Sequence, residues 1–600
     1  MPTTDEVQPA AHDATGDGAS AALLLGPLLR YVDDTSASVW VETRTPARVR
    51  VEVDLPGGRR ADGATGTLTL HGHHFALVVV PGLPAGQRLP YRVLVDDGEG
   101  EALAWPPPAA SWRWPASEIR TPERGADLRL AFGSCRRAGD DGPESVRLVG
   151  VDALSALAHR MVGEHHAEER WPDLLLFVGD QVYADDPTPA LKERLRERHR
   201  GGPDAGEDVR EEIGDFEEYT WLYHETWGPE AVRWLLSTVP TCMLLDDHDL
   251  RDDWNTSDTW RREVSRAPWW RDRVAGAFAS YWVYQHLGNL SPEELAGDAL
   301  LARLRAEPDD AERDRLLDGF ALRADEDPST ARWSFSRDLG PVRLVAVDSR
   351  CARRLAPGAR RIADEAEWGW VREQVLGAQD EEREDGPARH VLLATTLPAF
   401  LLHGIHHAEG FDEAVADGAW GPRAARWAEA LRQAADLEHW AAFRSSFGDL
   451  VRLLGDVAAG PRPPSSVLVL SGDVHCSYTA RVRVPGAGED GPAVHQLVMS
   501  PFRNPLSRGV RLANRLLDSR PARTLTRALA AAAGVRDPDV SWRVENGPWF
   551  DNGVMTVVCA QDGTAAVEVD HAVDDGGRPR LRSTLRHRLS APGRERVTSA

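Results

Sequence analysis

Three short stretches place acids, imidazoles and a phenol close together: Gly179-Asp180-Gln181-Val182-Tyr183, Asp246-Asp247-His248-Asp249 and Gly472-Asp473-Val474-His475. A fourth, Gly133-Ser134-Cys135-Arg136-Arg137, adds a thiol and two guanidinium groups, and Asp348-Ser349-Arg350 adds an acid and a third guanidinium. Carboxylates gathered in one place repel one another unless a cation neutralises them, so these residue types together point to bound metal. Acids with few imidazoles favour hard, oxygen-liking cations, whereas a tyrosinate and a thiolate favour a trivalent, iron-like centre. An Asp shared between two ions is the simplest way to hold them about 4 Å apart. Such a pair would clamp a phosphate, activate a bound water for in-line attack and neutralise the leaving oxygen.

Each stretch follows an apolar, β-prone run: LRLAF, DLLLFV, CMLL, RLVAV and SVLVL, with VLLATT ending in Leu-Pro. Helical stretches such as VDALSALAHRMVGEHH and RDRVAGAFASYWVYQHLG lie between these runs, which is the pattern of a layered α/β domain. Ligand sites in such domains sit at the carboxyl ends of the strands. Taken singly, each motif has an ordinary reading. Asp after Gly is a common helix N-cap, and a Cys is a common small buried hydrophobe. Their gathering at one end of six strands carries the metal reading. In Ser471–Ala480, Gly472 is expected to turn the chain sharply off its strand. An extended run then puts Asp473 and His475 on one side and Val474 and Cys476 on the core side.

The rest of the chain divides by composition. Residues 1–20 are small, polar and aperiodic and read as a disordered tail. Residues 21–104 carry short β-branched segments broken by Pro and Gly, a small all-β sandwich. Residues 105–126, with WPPPAASWRWP, read as a stiff linker. The α/β domain is expected over 127–570, with a basic insertion at 506–537 forming two helices around Pro521, and a C-terminal extension at 571–600. The insertion reads as surface structure, with a partner site as the alternative. A net charge of −24 argues against a general nucleic-acid or anionic-membrane binder. Five scattered cysteines with no CxxC pair fit a reducing compartment. An acidic, polar N-terminus and no bilayer-length apolar run make the cytoplasm the expected location.

The motifs GDQVY, DDHD and GDVH, in this order and strand context, resemble those of the calcineurin-like metallophosphoesterase superfamily, and within it the PhoD-like (alkaline phosphatase D) family. The resemblance implies a double-sheet α/β sandwich over roughly residues 127–565, preceded by the β-sandwich. It implies that Asp180 bridges two metals. Cys135, Tyr183 and His475 would hold an iron-like ion, and Asp247 and Asp473 a second. Asp247 stands where the superfamily has Asn, and Asp473 where it has His. Both changes harden the site toward calcium, so Fe(III) with Ca(II) is expected, with Mn(II) as an alternative. His248 would act as acid or base on the phosphoryl group or leaving oxygen. The superfamily's fourth motif offers a histidine that the matching strand here lacks, and His403 lies beyond it as a weak candidate.

Four arginines complete the expected site. Arg136 is placed with His248 among the catalytic candidates, and Arg137, Arg350 and Arg503 are expected to grip phosphate oxygens, surface ion pairs being the alternative for each. Asn255 and Asp348 are expected to order the ligands from behind. The expected activity is hydrolysis of small-molecule phosphomonoesters or phosphodiesters by a metal-bound hydroxide. A nucleotide or other diester fits within that class, without nucleic-acid or membrane partners. Two alternatives stay open: a catalytically silent binding or scaffold protein built on the sandwich and the basic helices, and a metal hydrolase of non-phosphate esters. The aromatic residues Trp254, Trp260, Trp269 and Trp270 are expected to serve core packing or a surface cover before contacting a substrate.

Overall fold

A computed structural model describes residues 22–163, 171–200, 208–380, 383, 386–488, 491–506, 511 and 519–590. The N-terminal strands are β1 (Leu23–Val32), β2 (Ser36–Thr43), β3 (Arg48–Asp54), β4 (Arg60–Gly66), β5 (Leu68–Leu70), β6 (His73–Pro81), β7 (Arg88–Asp96), β8 (Glu101–Trp105) and β9 (Glu118–Arg120). They form two antiparallel sheets, β1-β2-β6-β5 and β4-β3-β7-β8, with β9 also on β7. Alternate residues such as Val39, Val41, Val49, Val51 and Val93 fill the space between them.

The second domain contains β10 (Leu128–Gly133), β11 (Leu174–Val178), β12 (Thr241–Leu244), β13 (Phe335–Leu339), β14 (Val342–Val347), β15 (His390–Thr395), β16 (Ser466–Ser471), β17 (Ser477–Arg483), β18 (Ala493–Val498), β19 (Ser541–Trp549), β20 (Gly553–Cys559), β21 (Ala565–Asp574) and β22 (Pro579–Arg588). One mixed sheet runs β12-β11-β10-β20-β21-β22 and the other β13-β14-β15-β16-β18-β17-β19. Strand alternation explains how they stack. Leu174, Leu176 and Val178 of β11 meet Leu468 and Leu470 of β16 in the layer between the sheets. Their neighbours Leu175 and Phe177 face one helical layer, and Val467 and Val469 face the other. Both faces of each sheet are covered, so these strands read as continuous apolar runs. The fold is an N-terminal all-β domain followed by an α/β double-sheet domain. The parallel strands β10, β11 and β12 of one sheet and β14, β15 and β16 of the other end on the same side, which brings their tips together.

Two expectations about domain boundaries differ. The Trp-rich segment after Trp105, expected as a stiff linker, is docked: Trp112 packs edge-on against Trp105, and Trp114 stacks on Trp234 of the second domain. Aromatic area that large is buried wherever a partner surface lies within reach. The boundary expected at 570 falls inside β21, and β22 pairs along its whole length, because the strand pattern continues past His571. In the 506–537 insertion, Pro521 lies in the first turn of the helix Arg520–Ala532, where its missing N–H costs nothing. The rest of that insertion's first half, like the 1–20 tail, lies outside the described residues.

Candidate metal centre

Hydrogen bonds tie the strand tips together. Backbone bonds join β10 to β11, the segment after β18 to β10, the β11 and β12 loops (Ala184 N to His248 O at 2.8 Å) and β16 to β15. Asp473 N donates to Ser134 Oγ at 2.9 Å across the two sheets. Arg136 N donates to Asp180 O at 3.1 Å, Arg503 N to Cys135 O at 3.1 Å and Gly472 N to Thr396 O at 2.8 Å. The loops are tight. Among the described non-glycine residues, eight have positive φ, and Cys135, Asp180, Asp253, Asn255, Asp473 and His475 are six of them. Such conformations persist only where surrounding structure over-determines them, and they concentrate at functional sites. Gly472 is not among the positive-φ residues, so no sharp turn requires it; a Cβ there would lie 2.1 Å from Ser134 Oγ. Gly179 does have φ +100°, and a Cβ on it would strike the Asp246 side chain.

Two groups of donor atoms result, each with its atoms within 4.8 Å of one another: Cys135, Asp180 and His475, and Asp180, Asp246, Asp247 and Asp473. Asp180 belongs to both. Asp473 and His475 enter different groups, and both are in the left-handed conformation, so the expected extended alternation does not hold. Tyr183 Oη donates to Asp180 Oδ2 at 3.3 Å, beside the first group. Asn504 Nδ2 donates to Tyr183 Oη at 3.0 Å, and Ser500 Oγ and Ser134 Oγ each lie 3.1 Å from Cys135 Sγ.

Electrostatics matches a cation-seeking site. Burial, followed by the neighbouring acids, pushes the carboxyls of Asp180 and Asp473 well above the usual range. Burial takes Asp246 up to about 6 despite Arg350, and the Cys135 thiol also goes up strongly by burial and the nearby acids. Burial, with the charges of His248 and Arg137, brings His475 down to about 3, leaving a neutral imidazole suited to metal. The fully buried oxygens Asp180 Oδ1 and Asp246 Oδ2 have no hydrogen-bond partner. Unpartnered buried carboxylate oxygens are costly, and a bound cation would satisfy them. The donor set therefore fits metal: thiol, imidazole, phenol and carboxyl on one side, carboxylates alone on the other.

His248 stacks near Tyr183, with ring centroids 4.4 Å apart, and its Nδ1 is 2.8 Å from Asp185 Oδ2. Burial alone would lower its pKa; the charges of Asp185 and Asp180 raise it well above the usual histidine value. This leaves Nε2 as a proton-bearing atom on the partly exposed side, 3.8 Å from Asp252.

The arginines depart from expectation. Arg136 is 1% exposed and turned away into an ion pair with Asp152 at 2.6 Å, with Thr226 O as a further acceptor at 2.7 Å. Arg503 is spent on the carbonyls of Gly139 and Asp140, both at 2.6 Å. Arg350 is buried among Asp246, Asp247, Glu438 and Asp473. None of these three guanidinium groups is placed to receive a phosphate. Sequence cannot say to which side of a loop a side chain leaves, and a guanidinium beside unpaired buried acids is drawn to them. Arg137, half-exposed and 2.5 Å from Asp186, remains on the rim.

His403 is no ligand: its Nε2 is 3.0 Å from Trp542 O and its ring stacks on Trp542. Asp348 accepts from the N–H groups of Arg350, Cys351 and Ala352, and Asn255 donates to Arg350 O, so both fix the Arg350 turn. Trp254 and Trp270 are core residues, and Trp260 and Trp269 pack edge-on against Trp270. Residues without an expected role include Asp246, Asp185, Asn504 and Glu438. Asp246 lies inside a recognised motif and was discoverable; Glu438, in a loop after the helix Pro422–Ala434 and far away in sequence, gives no such signal.

Residues 158–532 match the family model of the PhoD-like phosphatase, and residues 20–119 match a domain of unknown function (DUF7800). A sequence comparison with curated proteins returns no match. Among solved structures, "Structure of PhoD" is similar over 96% of this chain and 92% of that chain, with TM-score 0.57 and 12% identity, a likeness of fold. A purple acid phosphatase, PPD1, from yellow lupin (Lupinus luteus) seeds aligns over 95% of this chain and 74% of that chain, with TM-score 0.48 and 10% identity. With the family model covering more than half of its length, the chain belongs to the PhoD-like phosphatase family.

Proposed function

We propose that the chain is a metal-dependent phosphoesterase acting on small-molecule phosphomonoesters or phosphodiesters. The observation that carries this reading is the sharing of Asp180 between two chemically different ligand groups at the strand tips. Cys135, Tyr183, Asp180 and His475 would hold an iron(III)-like ion. Asp180, Asp246, Asp247 and Asp473 would hold calcium, or manganese in its place. When bound, the two ions would polarise the phosphoryl group, activate the attacking water and offset charge on the leaving oxygen.

The chain's own residues supply the rest. Asp185 holds His248 by Nδ1 and keeps it protonated, so Nε2 can donate a proton to the leaving oxygen. Arg137, on the rim and close enough to influence His475, is the arginine left to orient a non-bridging oxygen. Asn504 orients the Tyr183 phenol.

The test is hydrolysis of a monoester and a diester panel by metal-stripped protein with Fe, Ca(II) or Mn(II) restored. Asp180→Asn is expected to abolish turnover under every metal condition. A metal-replete Asp180→Asn protein with wild-type turnover would refute the assignment.

A further inference from the structure

Arg350 has a fully buried side chain, and each of its three guanidinium nitrogens meets an acid. Nε is 2.6 Å from Asp246 Oδ1, while NH2 is 3.2 Å from Asp247 Oδ1, 3.4 Å from Asp473 Oδ2 and 2.9 Å from Glu438 Oε1. NH1 bonds Glu438 Oε2. Three of the four carboxylates of the acidic group therefore touch one guanidinium, and the exception is the shared Asp180. The same Glu438 Oε2 also pairs with Arg353 NH1, at 2.9 Å. Two arginines against one glutamate leave a net positive charge facing the acidic group.

That charge does not move. Asp348 caps the turn carrying Arg350, and Trp254 O accepts from NH1 at 3.3 Å. The other ligand group differs. Among the described residues no Arg or Lys is bonded to the Cys135 or His475 side chains, whose neighbours are Ser134, Ser500 and Asn504.

A fixed guanidinium so placed has two consequences. Four buried carboxylates cannot all stay ionised side by side without a compensating charge, so the guanidinium keeps the group assembled in the absence of a divalent ion. It also repels such an ion, because a fixed charge within a few ångströms changes the affinity of a carboxylate for a cation by about tenfold or more. We propose that Arg350 is a resident counter-cation of the Asp180–Asp246–Asp247–Asp473 group, holding it ready for metal while weakening its grip. The acidic position is then the exchangeable one of the two, and the Cys135 position the retained one. This rests on the reading of both groups as metal sites.

The experiment measures Ca(II) and Mn(II) affinity calorimetrically in the metal-stripped full chain, for the wild type, Arg350→Met and Arg350→Lys, with thermal melts of each. A merely structural brace and a counter-cation predict opposite signs. Loss of a brace weakens metal binding; loss of the counter-cation tightens it. Arg350→Met is expected to bind Ca(II) about tenfold more tightly while its metal-free form melts lower. Arg350→Lys, which keeps the charge, is expected to stay within about threefold of wild type. Equal or weaker Ca(II) binding by folded Arg350→Met would overturn the proposal. Should that variant not fold, Glu438→Gln serves in its place. It leaves Arg350 less neutralised and is expected to weaken Ca(II) binding by several-fold, and unchanged or tighter binding would overturn the proposal. A wild type that takes up neither ion would overturn the metal reading itself, and this inference with it.

Discussion

At Gly472 the molecule tolerates no side chain, for a reason of contact and not of conformation. A Cβ would lie 2.1 Å from Ser134 Oγ, and that hydroxyl accepts from Asp473 N at 2.9 Å. Gly472→Ala is expected to force the β10 and β16 tips apart and cost about 1–3 kcal/mol, measurable by chemical denaturation. Arg136→Met tests the corrected role of that arginine. Removing one partner of a buried ion pair leaves Asp152 uncompensated, at a cost of about 3–5 kcal/mol, whereas a phosphate-gripping residue would raise KM at little cost in stability. The expected outcome is a lower melting point with KM unchanged in the folded fraction. Cys135, Asp180, Tyr183, Asp247, Asp473 and His475 were legible in the sequence because each directly follows a strand whose apolar pattern fixes where its tip must lie. The roles of Arg136, Arg350 and Arg503 were not. A long, flexible cation goes to whichever buried acid or carbonyl lies within reach, and those partners are set by tertiary packing.

The strands were the most readable elements, since continuous apolar runs of five or six residues with polar tips belong to sheets covered on both faces. The ends of the domains were less so. Strand β22 carries alternating arginines and falls in the expected C-terminal extension, yet it pairs with β21 from Ala566↔Arg588 to Asp574↔Pro579. Its Leu581 is buried and Leu585 packs partly buried against the core, while the arginines face out. A chain ended at residue 570 would lose this strand and cut β21 short, exposing a long unpaired edge. Such a truncation is expected to reduce soluble yield sharply and lower the melting point. Full solubility with a wild-type melt would mean that the sheet does not depend on β22.

Across the whole molecule, the N-terminal domain is not a freely mobile module. Trp40, Leu25 and Phe75 share one apolar core with Trp227, Leu235 and Trp282 of the second domain. Arg30 reaches across to the carbonyls of Tyr284 and Gln285 at 2.6 Å each, and Gln285 Nε2 in turn is 3.2 Å from Asp249 Oδ1 in the DDHD loop. Beside it, the fully buried Glu42 accepts from His73, His224 and Tyr284. Burial would raise the Glu42 pKa, but His224 and His73 outweigh it and bring it from 4.5 down to about 2. Burial would lower His73, but its bonds to Glu217 and Glu42 take it from 6.5 up to about 9. The Glu42 contribution to stability is present above pH 4.5 and lost as pH falls through about 2, while that of His73 is complete below pH 6.5 and lost as pH rises through about 9. Domain docking is therefore expected to be strongest between pH 4.5 and 6.5, and Glu42→Gln to lower the melting temperature within that window and to flatten its decline below pH 4.5 and above pH 6.5. An unchanged pH profile in the variant would mean that the cluster does not govern docking. All of this structure brings four strand tips to one place, where we propose that two metal ions sit. Elemental analysis of the purified chain and of Asp180→Asn tests it most directly. The expected result is two or more ions per wild-type chain, including iron, with the content collapsing in the variant. A wild-type chain that hydrolyses phosphoesters while carrying no metal would contradict it.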